Sequence, residues 1–198
     1  MALSLYKKKR KFKETPEPTG GTASKDVLRF VIQKHAATQL HYDFRLEMEG
    51  VLKSWAVPKG PSLNPVDKRL AMMVEDHPYD YRTFEGIIPE GNYGAGTVMV
   101  WDEGTYTALE PGTKKEQEKS LLKQLKNGSL KFSLQGEKLK GEFALVKLKN
   151  DAKGNAWLLI KHRDKFAKES DVTKKNKSVI SEKTLNQIAK TTKNIYGK

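Results

Sequence analysis

Five consecutive residues, His41, Tyr42, Asp43, Phe44 and Arg45, carry the strongest chemical signal in the sequence. Leu40, Tyr42, Phe44 and Leu46 are apolar at every second position, with His41, Asp43, Arg45 and Glu47 between them. Period-two alternation marks a half-buried β-strand, whose side chains at i, i+2 and i+4 share one face. His41, Asp43 and Arg45 would project together while Tyr42 and Phe44 pack inward. An imidazole beside a carboxylate suits a borderline-to-hard divalent ion. A guanidinium next along the face is a natural clamp for phosphate oxygens. Metal and then cation on one rigid strand would seat a phosphoester. The plainer reading is the solvent face of an amphipathic strand. Such faces favour Thr, Lys, Glu and Ser, so His, Asp and Arg in succession favour chemistry.

The chain has four histidines. His35 lies just upstream in Gln33-Lys34-His35, and His77 follows Glu75-Asp76. Two histidines and one aspartate could make a three-point metal site with open positions for water or substrate. A remaining histidine could protonate a leaving oxygen or bind phosphate. His162, between Lys161 and Arg163, reads as a basic surface edge. Lys59 and Arg69 sit at turn-like positions flanking a groove, though each alone reads as a solvated charge. Tyr81 and Tyr93, in polar loops, are candidates for substrate contact. The loop Gly91-Asn92-Tyr93-Gly94-Ala95-Gly96 could offer backbone N–H groups to an anion, but a tight barrel turn is the better reading. It is no P-loop, since no Gly-Lys-Ser/Thr follows. The sequence has neither a Gly-x-Ser-x-Gly elbow nor a zincin helix motif.

Cysteine is absent, which excludes disulfides, thiolate metal sites and a cysteine nucleophile. Any metal must be held by His, Asp or Glu. A formal net charge of +13 favours polyanionic partners, although solubility alone would explain it too. The basic runs at residues 7–13 and 174–177 read as disordered arms, while residues 1 to about 26 as a whole read as an extended arm that could pack on the domain rather than a linker between two domains. No apolar run reaches the roughly 18 residues of a membrane span, and no signal peptide is read at the N-terminus. The expected location is the cytoplasm, alongside nucleic acid and away from membranes.

The elements that must position these residues are mostly short strands. They are read from Leu28 onward, around residues 40–47, 52–57, 70–74, 97–101, 130–134, 141–148 and 157–160, with Gly, Pro and Asn turns between them. That spacing predicts an all-β sandwich or barrel. Trp55, Trp101, Trp157, Phe132 and Phe143 stand in apolar strand contexts and read as core. Two segments read as helical. One is 114–126, with Leu121, Leu122 and Leu125 on one stripe and Asn127-Gly128 as a stop. The other is about 181–190. The chain of 198 residues suits one domain. Its division is a basic N-terminal arm at 1–26, a barrel at 27–170 and a basic C-terminal tail at 171–198.

Several motifs together resemble a known family. They are the Thr15-Pro16-Glu17-Pro18 run, the stretch from Phe30 to Ser62, Glu75-Asp76-His77-Pro78-Tyr79-Asp80-Tyr81, and the segment from Phe84 to Gly104. Residues 141–148 and 157–164 match as well. In order and over roughly residues 6–170, they resemble the 3′-phosphoesterase domain of DNA ligase D, an end-joining repair enzyme. The resemblance implies a mainly β fold, a compact β-barrel with a crescent-shaped active-site groove and one or two short helices. It implies a manganese-dependent (Mn²⁺) activity that removes a 3′-terminal ribonucleotide to leave a 3′-phosphate, then removes the phosphate to give a 3′-hydroxyl. The implied substrate is a DNA primer–template or nicked duplex bearing either end.

The family's metal ligands fall on His35, His41 and Asp43, and its phosphate-binding and catalytic partners on Arg45 and His77, with Tyr81 close by. Lys59, Arg69, Gln33 and Glu75 match supporting positions, and Arg10 and Glu17 match the arm. Lys11 departs, because the family usually carries an Arg–Asp pair there. Partners would be ligase, polymerase and other end-joining proteins, with a monomer as the default. Ligase and polymerase domains do not fit in this length, so the chain reads as a stand-alone enzyme or an excised fragment. Two rival readings are a non-catalytic basic nucleic-acid-binding β-barrel and an interaction module that recruits repair partners through its arms.

Overall fold

The computed structural model describes residues 3–190. A short helix α1 (Ser4–Lys8) comes first. Strands β1 (Leu28–Ala36), β2 (Leu40–Met48), β3 (Val51–Val57) and β4 (Lys68–Pro78) then form an antiparallel meander. A 3-10 turn (Tyr79–Thr83) and a short strand β5 (Gly86–Ile88) lead to the long β6 (Gly96–Ala108). Helix α2 (Lys114–Lys126), strands β7 (Ser129–Gly136), β8 (Lys140–Lys147) and β9 (Ala156–Lys161), and helix α3 (Leu185–Ala189) follow.

The strands pair in the order β1-β2-β3-β4-β9-β8-β7-β6, and β6 pairs back onto β1. Eight antiparallel strands thus close into a barrel, with β5 hung on the free edge of β6. The inward face is mainly apolar, with buried Lys161 at the end of β9 lying over the Phe143 ring and paired with Asp164 at 2.5 Å. Phe30, Phe44, Trp55, Trp101, Phe132 and Phe143 are wholly buried in this face, as their strand contexts indicated. The rings of Phe44, Phe132 and Phe143 stack in series at 5.7 and 6.4 Å. Between β6 and β7, α2 lays Leu121, Leu122 and Leu125 against this core, and a Thr113–Glu116 capping box starts it.

Closure of the barrel dictates what happens outside it. β4 and β6 are consecutive long strands, yet β3, β2 and β1 stand between them. The connection must therefore cross four strand spacings, about 19 Å, over the outer wall. It does so through the 3-10 turn and β5. There Tyr79, Tyr81, Phe84 and Ile88 meet the outward-facing Val31, Leu52, Val98 and Val100 in a second apolar cluster. A layer thus covers β1–β3 from outside.

That layer corrects the half-buried reading of β2. Every residue of β2 from Tyr42 to Met48 is buried, on both faces. Alternation in the sequence distinguishes the two environments without exposing either of them.

The arms are also more ordered than their charge suggested. α1 has five residues, well short of the ~12–15 that an isolated helix needs. It forms because Tyr6, wholly buried, is inserted into the outer cluster and donates its hydroxyl to the Pro18 carbonyl at 2.6 Å. At the other end Val172 and Ile188 join the barrel core, and Trp101 Nε1 donates to the Lys175 carbonyl at 2.5 Å. Val179 N–H pairs with the Val100 carbonyl at 3.0 Å, and the Ser181 hydroxyl donates to buried Glu85. The basic runs are anchored by apolar and backbone contacts between their lysines. The helix read at 181–190 is the shorter α3, and residues 191–198 of the expected tail lie outside the described residues.

The β5–β6 loop is pressed against the β1–β2 turn. Gly96 has φ +144°, and a Cβ there would stand 2.2 Å from the Ala36 carbonyl oxygen. Gly96→Ala should therefore destabilise the protein by about 2–4 kcal/mol. Thermal unfolding followed by circular dichroism should show a melting temperature lower by roughly 5–15 °C. An unchanged melting temperature would mean that the loop is not seated on the turn.

Candidate metal centre and phosphate-binding cavity

The covered outer wall is where polar side chains gather. Gln33, His35, Asp43, Arg45, Ser54 and His77 are all buried there. A buried charge without a partner is strongly unfavourable, so each must be paired or must face a ligand.

His35 and His41 are cross-strand partners on β1 and β2, with ring centroids 4.8 Å apart. Asp43, one pleat further along β2, stands diagonally between them. Its Oδ2 lies 3.5 Å from His35 Nδ1 and its Oδ1 lies 3.7 Å from His41 Nε2. The far nitrogen of each ring is tied to a backbone carbonyl: His35 Nε2 to Gly94 at 2.9 Å, His41 Nδ1 to Gln39 at 2.9 Å. A carbonyl only accepts, so those nitrogens carry the protons. In the neutral rings the lone pairs of His35 Nδ1 and His41 Nε2 then face the Asp43 carboxylate. Burial alone would raise the Asp43 carboxyl. The Arg45 guanidinium outweighs it and holds the group well below the usual carboxylate range.

Three acceptors thus converge, all within 4.8 Å of one another. Such a set is self-repelling until a cation sits among it. Two imidazole nitrogens and a carboxylate fit a divalent ion of the manganese, iron or zinc kind. The carbonyl tethers on the far nitrogens are the usual outer support of metal-binding histidines.

Arg45 continues the row. Its Nε donates to Gln33 Oε1 at 2.9 Å, Nη1 to Ser54 Oγ at 2.8 Å, and Nη2 lies 3.2 Å from Asp43 Oδ2. Gln33 is itself fixed by donating to the carbonyls of Tyr81 and Phe84 at 2.9 and 2.8 Å. The guanidinium is therefore locked, with two of its five N–H groups left for a ligand.

A β-bulge brings β4 into the site. Leu52 stands opposite His77 and Ser54 opposite Val74, so Glu75 and Asp76 together face Lys53. Lys53 draws Asp76 aside at 2.6 Å. Val74, Glu75 and His77 all line one cavity, an arrangement that simple alternation would forbid. His77 Nε2 accepts from Arg10 Nη2 at 3.1 Å, and its Nδ1 donates to the Glu75 carbonyl at 2.9 Å. Burial first, and then Arg45 and Arg10, push its pKa well below the ordinary imidazole value, so it is neutral.

The arm closes the cavity. Arg10 pairs with Glu17 at 2.8 Å and Glu75 at 3.0 Å, and stacks 3.9 Å above the Tyr6 ring. Glu17 also accepts from the Tyr81 hydroxyl at 2.9 Å. The cavity, open at one side, holds about 310 Å³ and is lined by Arg10, His35, His41, Asp43, Arg45, Glu75, His77, Tyr81 and Tyr93.

The residues read from the sequence therefore fall into two places. His35, His41, Asp43, Arg45, His77, Tyr81, Glu75 and Arg10 line one cavity; Gln33 and Glu17 brace it from behind. Tyr81, read as a loop residue, is buried with its hydroxyl engaged. Lys59 and Arg69 line a separate depression with Lys68 and Asp67, where Arg69 pairs with Asp67 at 2.9 Å. Lys11 is exposed and reaches only Glu14. The Gly-rich loop is a turn, with Asn92 and Ala95 N–H groups bonded to the Pro89 and Asn92 carbonyls. Residues that sequence reasoning missed are Ser54, Tyr6 and Lys9. Ser54 had a signal. Glu49 and Gly50, both at positive φ, form a two-residue hairpin turn, and counting back from it sets Arg45 opposite Ser54.

The model of the DNA ligase D 3′-phosphoesterase domain family matches residues 33–147. The multifunctional non-homologous end joining protein LigD of Pseudomonas aeruginosa is 48% identical over 190 residues, 92% of this chain and 22% of that protein. The corresponding Mycobacterium tuberculosis protein is 42% identical over 86% of this chain, and that of Mycolicibacterium smegmatis 39% over 82%. The chain spans about a fifth of the length of each. On this match and on the site it carries, the chain belongs to the DNA ligase D 3′-phosphoesterase domain family.

Proposed function

We propose that this protein is a manganese-dependent phosphoesterase that heals 3′ ends of DNA and RNA strands in end joining. It removes the nucleoside of a 3′-terminal ribonucleotide to leave a 3′-phosphate, then the phosphate to leave a 3′-hydroxyl. The observation that carries the reading is the convergence of two imidazole lone pairs and an ionised carboxylate beside the locked Arg45 guanidinium.

His35, His41 and Asp43 would hold the ion, which when bound supplies a Lewis acid at the phosphate and lowers the pKa of a coordinated water. The protein's own groups do the rest. Arg45 offers its two free N–H groups to non-bridging phosphate oxygens, and its locked position means that little reorganisation accompanies charge build-up. Arg10 brings a second guanidinium, aimed by Glu17, Glu75 and His77. His77 enters as a neutral acceptor. A phosphate dianion beside it would favour its protonated form, turning the same Nε2 into a donor to phosphate or to the leaving oxygen. Basic groups outside the cavity, Lys59 and Arg69 among them, would track the strand without reading its sequence.

An end-labelled primer–template with one 3′-terminal ribonucleotide, and a second ending in 3′-phosphate, test this. Incubation with Mn²⁺ should give a 3′-phosphate and then a 3′-hydroxyl, and a chelator should stop both steps. Tight DNA binding without reaction would favour the binding barrel instead.

His41→Ala and Asp43→Ala should each abolish both reactions and weaken Mn²⁺ binding by at least about 100-fold in calorimetry, with the β-sheet circular dichroism retained. Full activity of metal-stripped His41→Ala would sink the assignment.

Arg45→Lys keeps a cation opposite Asp43 but loses the fork. It should lower kcat by about 100-fold to 1000-fold while DNA affinity changes less than about 10-fold. Normal turnover with weak binding would reassign Arg45 to positioning the strand.

A further inference from the structure

Three tyrosines border the cavity, and they differ in one respect. Tyr6 and Tyr81 are buried, with hydroxyls donated to the Pro18 carbonyl and to Glu17. Tyr93 lines the same cavity but is 49% exposed. It stands at the mouth, on the loop between β5 and β6.

That loop is held firmly. Asn92 and Ala95 close successive turns within it. The carbonyl of Gly94, the next residue, accepts from His35 at 2.9 Å. Tyr93 is thus one residue from the group that orients a candidate metal ligand. Lys9 Nζ lies 4.7 Å from the ring centroid and 3.3 Å from the hydroxyl, and the Arg10 guanidinium carbon lies 5.4 Å from the ring. A half-exposed aromatic ring on a rigid loop, with Lys9 and Arg10 over it and the candidate phosphate site beside it, is the chemistry that receives a nucleobase.

We propose that Tyr93 stacks the base of the terminal nucleoside, and so discriminates between the two reactions of this site. The inference rests on the phosphoesterase reading above. In the first reaction a water oxygen bonds to phosphorus, the bond from phosphorus to O5′ of the terminal nucleoside breaks, and O5′ takes a proton. The free nucleoside leaves and the phosphate stays on the strand. In the second, water again bonds to phosphorus, the bond to O3′ of the strand breaks, and O3′ takes a proton. Inorganic phosphate leaves. A terminal nucleoside is present only in the first reaction, so only that reaction contains the stacked base.

The test compares kcat/KM for nucleoside removal with kcat/KM for phosphate removal on the full chain with Mn²⁺. Tyr93→Ala should lower that ratio by about 10-fold to 100-fold, the usual range for losing one base–aromatic stack. Tyr93→Phe keeps the ring but loses the hydroxyl contact to Lys9, and should hold the ratio within about 3-fold. A primer ending in an abasic ribose should lower the wild-type ratio as Tyr93→Ala does, and Tyr93→Ala should add nothing further on it.

Two results would overturn the proposal. One is an equal fall in both reactions with Tyr93→Ala. The other is Tyr93→Phe and Lys9→Met reproducing the alanine variant, which would make Tyr93 an anchor for the arm. A wild-type protein inert on both ends would instead remove the phosphoesterase reading, and this proposal with it.

Discussion

Pairing of β6 with β1 is the constraint from which the site follows. It closes the barrel, and it leaves β4 on the wrong side of three strands from β6. The connection has to travel over the outer wall, and a bare crossing would leave a polar backbone and an apolar wall exposed together. Tyr79, Tyr81, Phe84 and Ile88 resolve this by packing onto the wall, and the chain end inserts Tyr6 beside them. The result is a second buried layer with the barrel staves as its floor. The candidate site residues on β1 and β2 point out of the barrel and yet into the protein. The interior stays mainly apolar, and the strands hold these side chains at fixed spacing.

Within that layer the charges are arranged as an alternating chain. Asp43 faces Arg45; Arg10 faces Glu17 and Glu75; Lys9 meets Glu75 at the rim. Ions removed from water are tolerated only when each has a partner and its remaining hydrogen bonds are met. Gln33 and Ser54 supply those for Arg45, and Thr15 and Tyr81 for Glu17. The exception is the triplet of His35, His41 and Asp43, where acceptors meet with one guanidinium as the sole donor. An imbalance inside an otherwise satisfied network marks the point where a cation belongs. The same network fixes the orientation of the groups before substrate arrives, which lets a low-dielectric site act on charge as it develops.

Much of this was legible in the sequence. The alternation of β2 showed which residues share a face, and the helix α2 was readable from its stripe and its stop. His35 and His41 could be suspected as a pair because both flank one turn. Three things were not legible, each for a physical reason. The bulge at Glu75 and Asp76 breaks the period on which face assignment depends, so no count along β4 places Val74 and Glu75 on the same side. Burial of Tyr81 depends on a connection crossing the barrel, a consequence of topology and not of the loop's own composition. Anchoring of the arm depends on one tyrosine among five lysines and arginines, where local charge suggested a solvated segment. Lys59 and Arg69 show the converse: residues close to the motif in sequence line a different depression.

The division of labour in the site follows from which parts are rigid. Strand-borne groups, His35, His41, Asp43 and Arg45, are each held by the pleat and by at least one further contact, which suits the step that the two proposed reactions share, attack at phosphorus. On the proposed reading, groups that meet the rest of the substrate come from the arm and the β5–β6 loop, each fixed to the barrel at defined points. Those points are not independent of the chemistry. Arg10 is joined to His77, and the carbonyl beside Tyr93 holds His35. On the proposed reading, a strand end that displaced the arm or pressed on the loop would act on the orientation of His35 and His77 at once. Recognition of the end and readiness for chemistry would then be coupled through two hydrogen bonds, each with a histidine at one end.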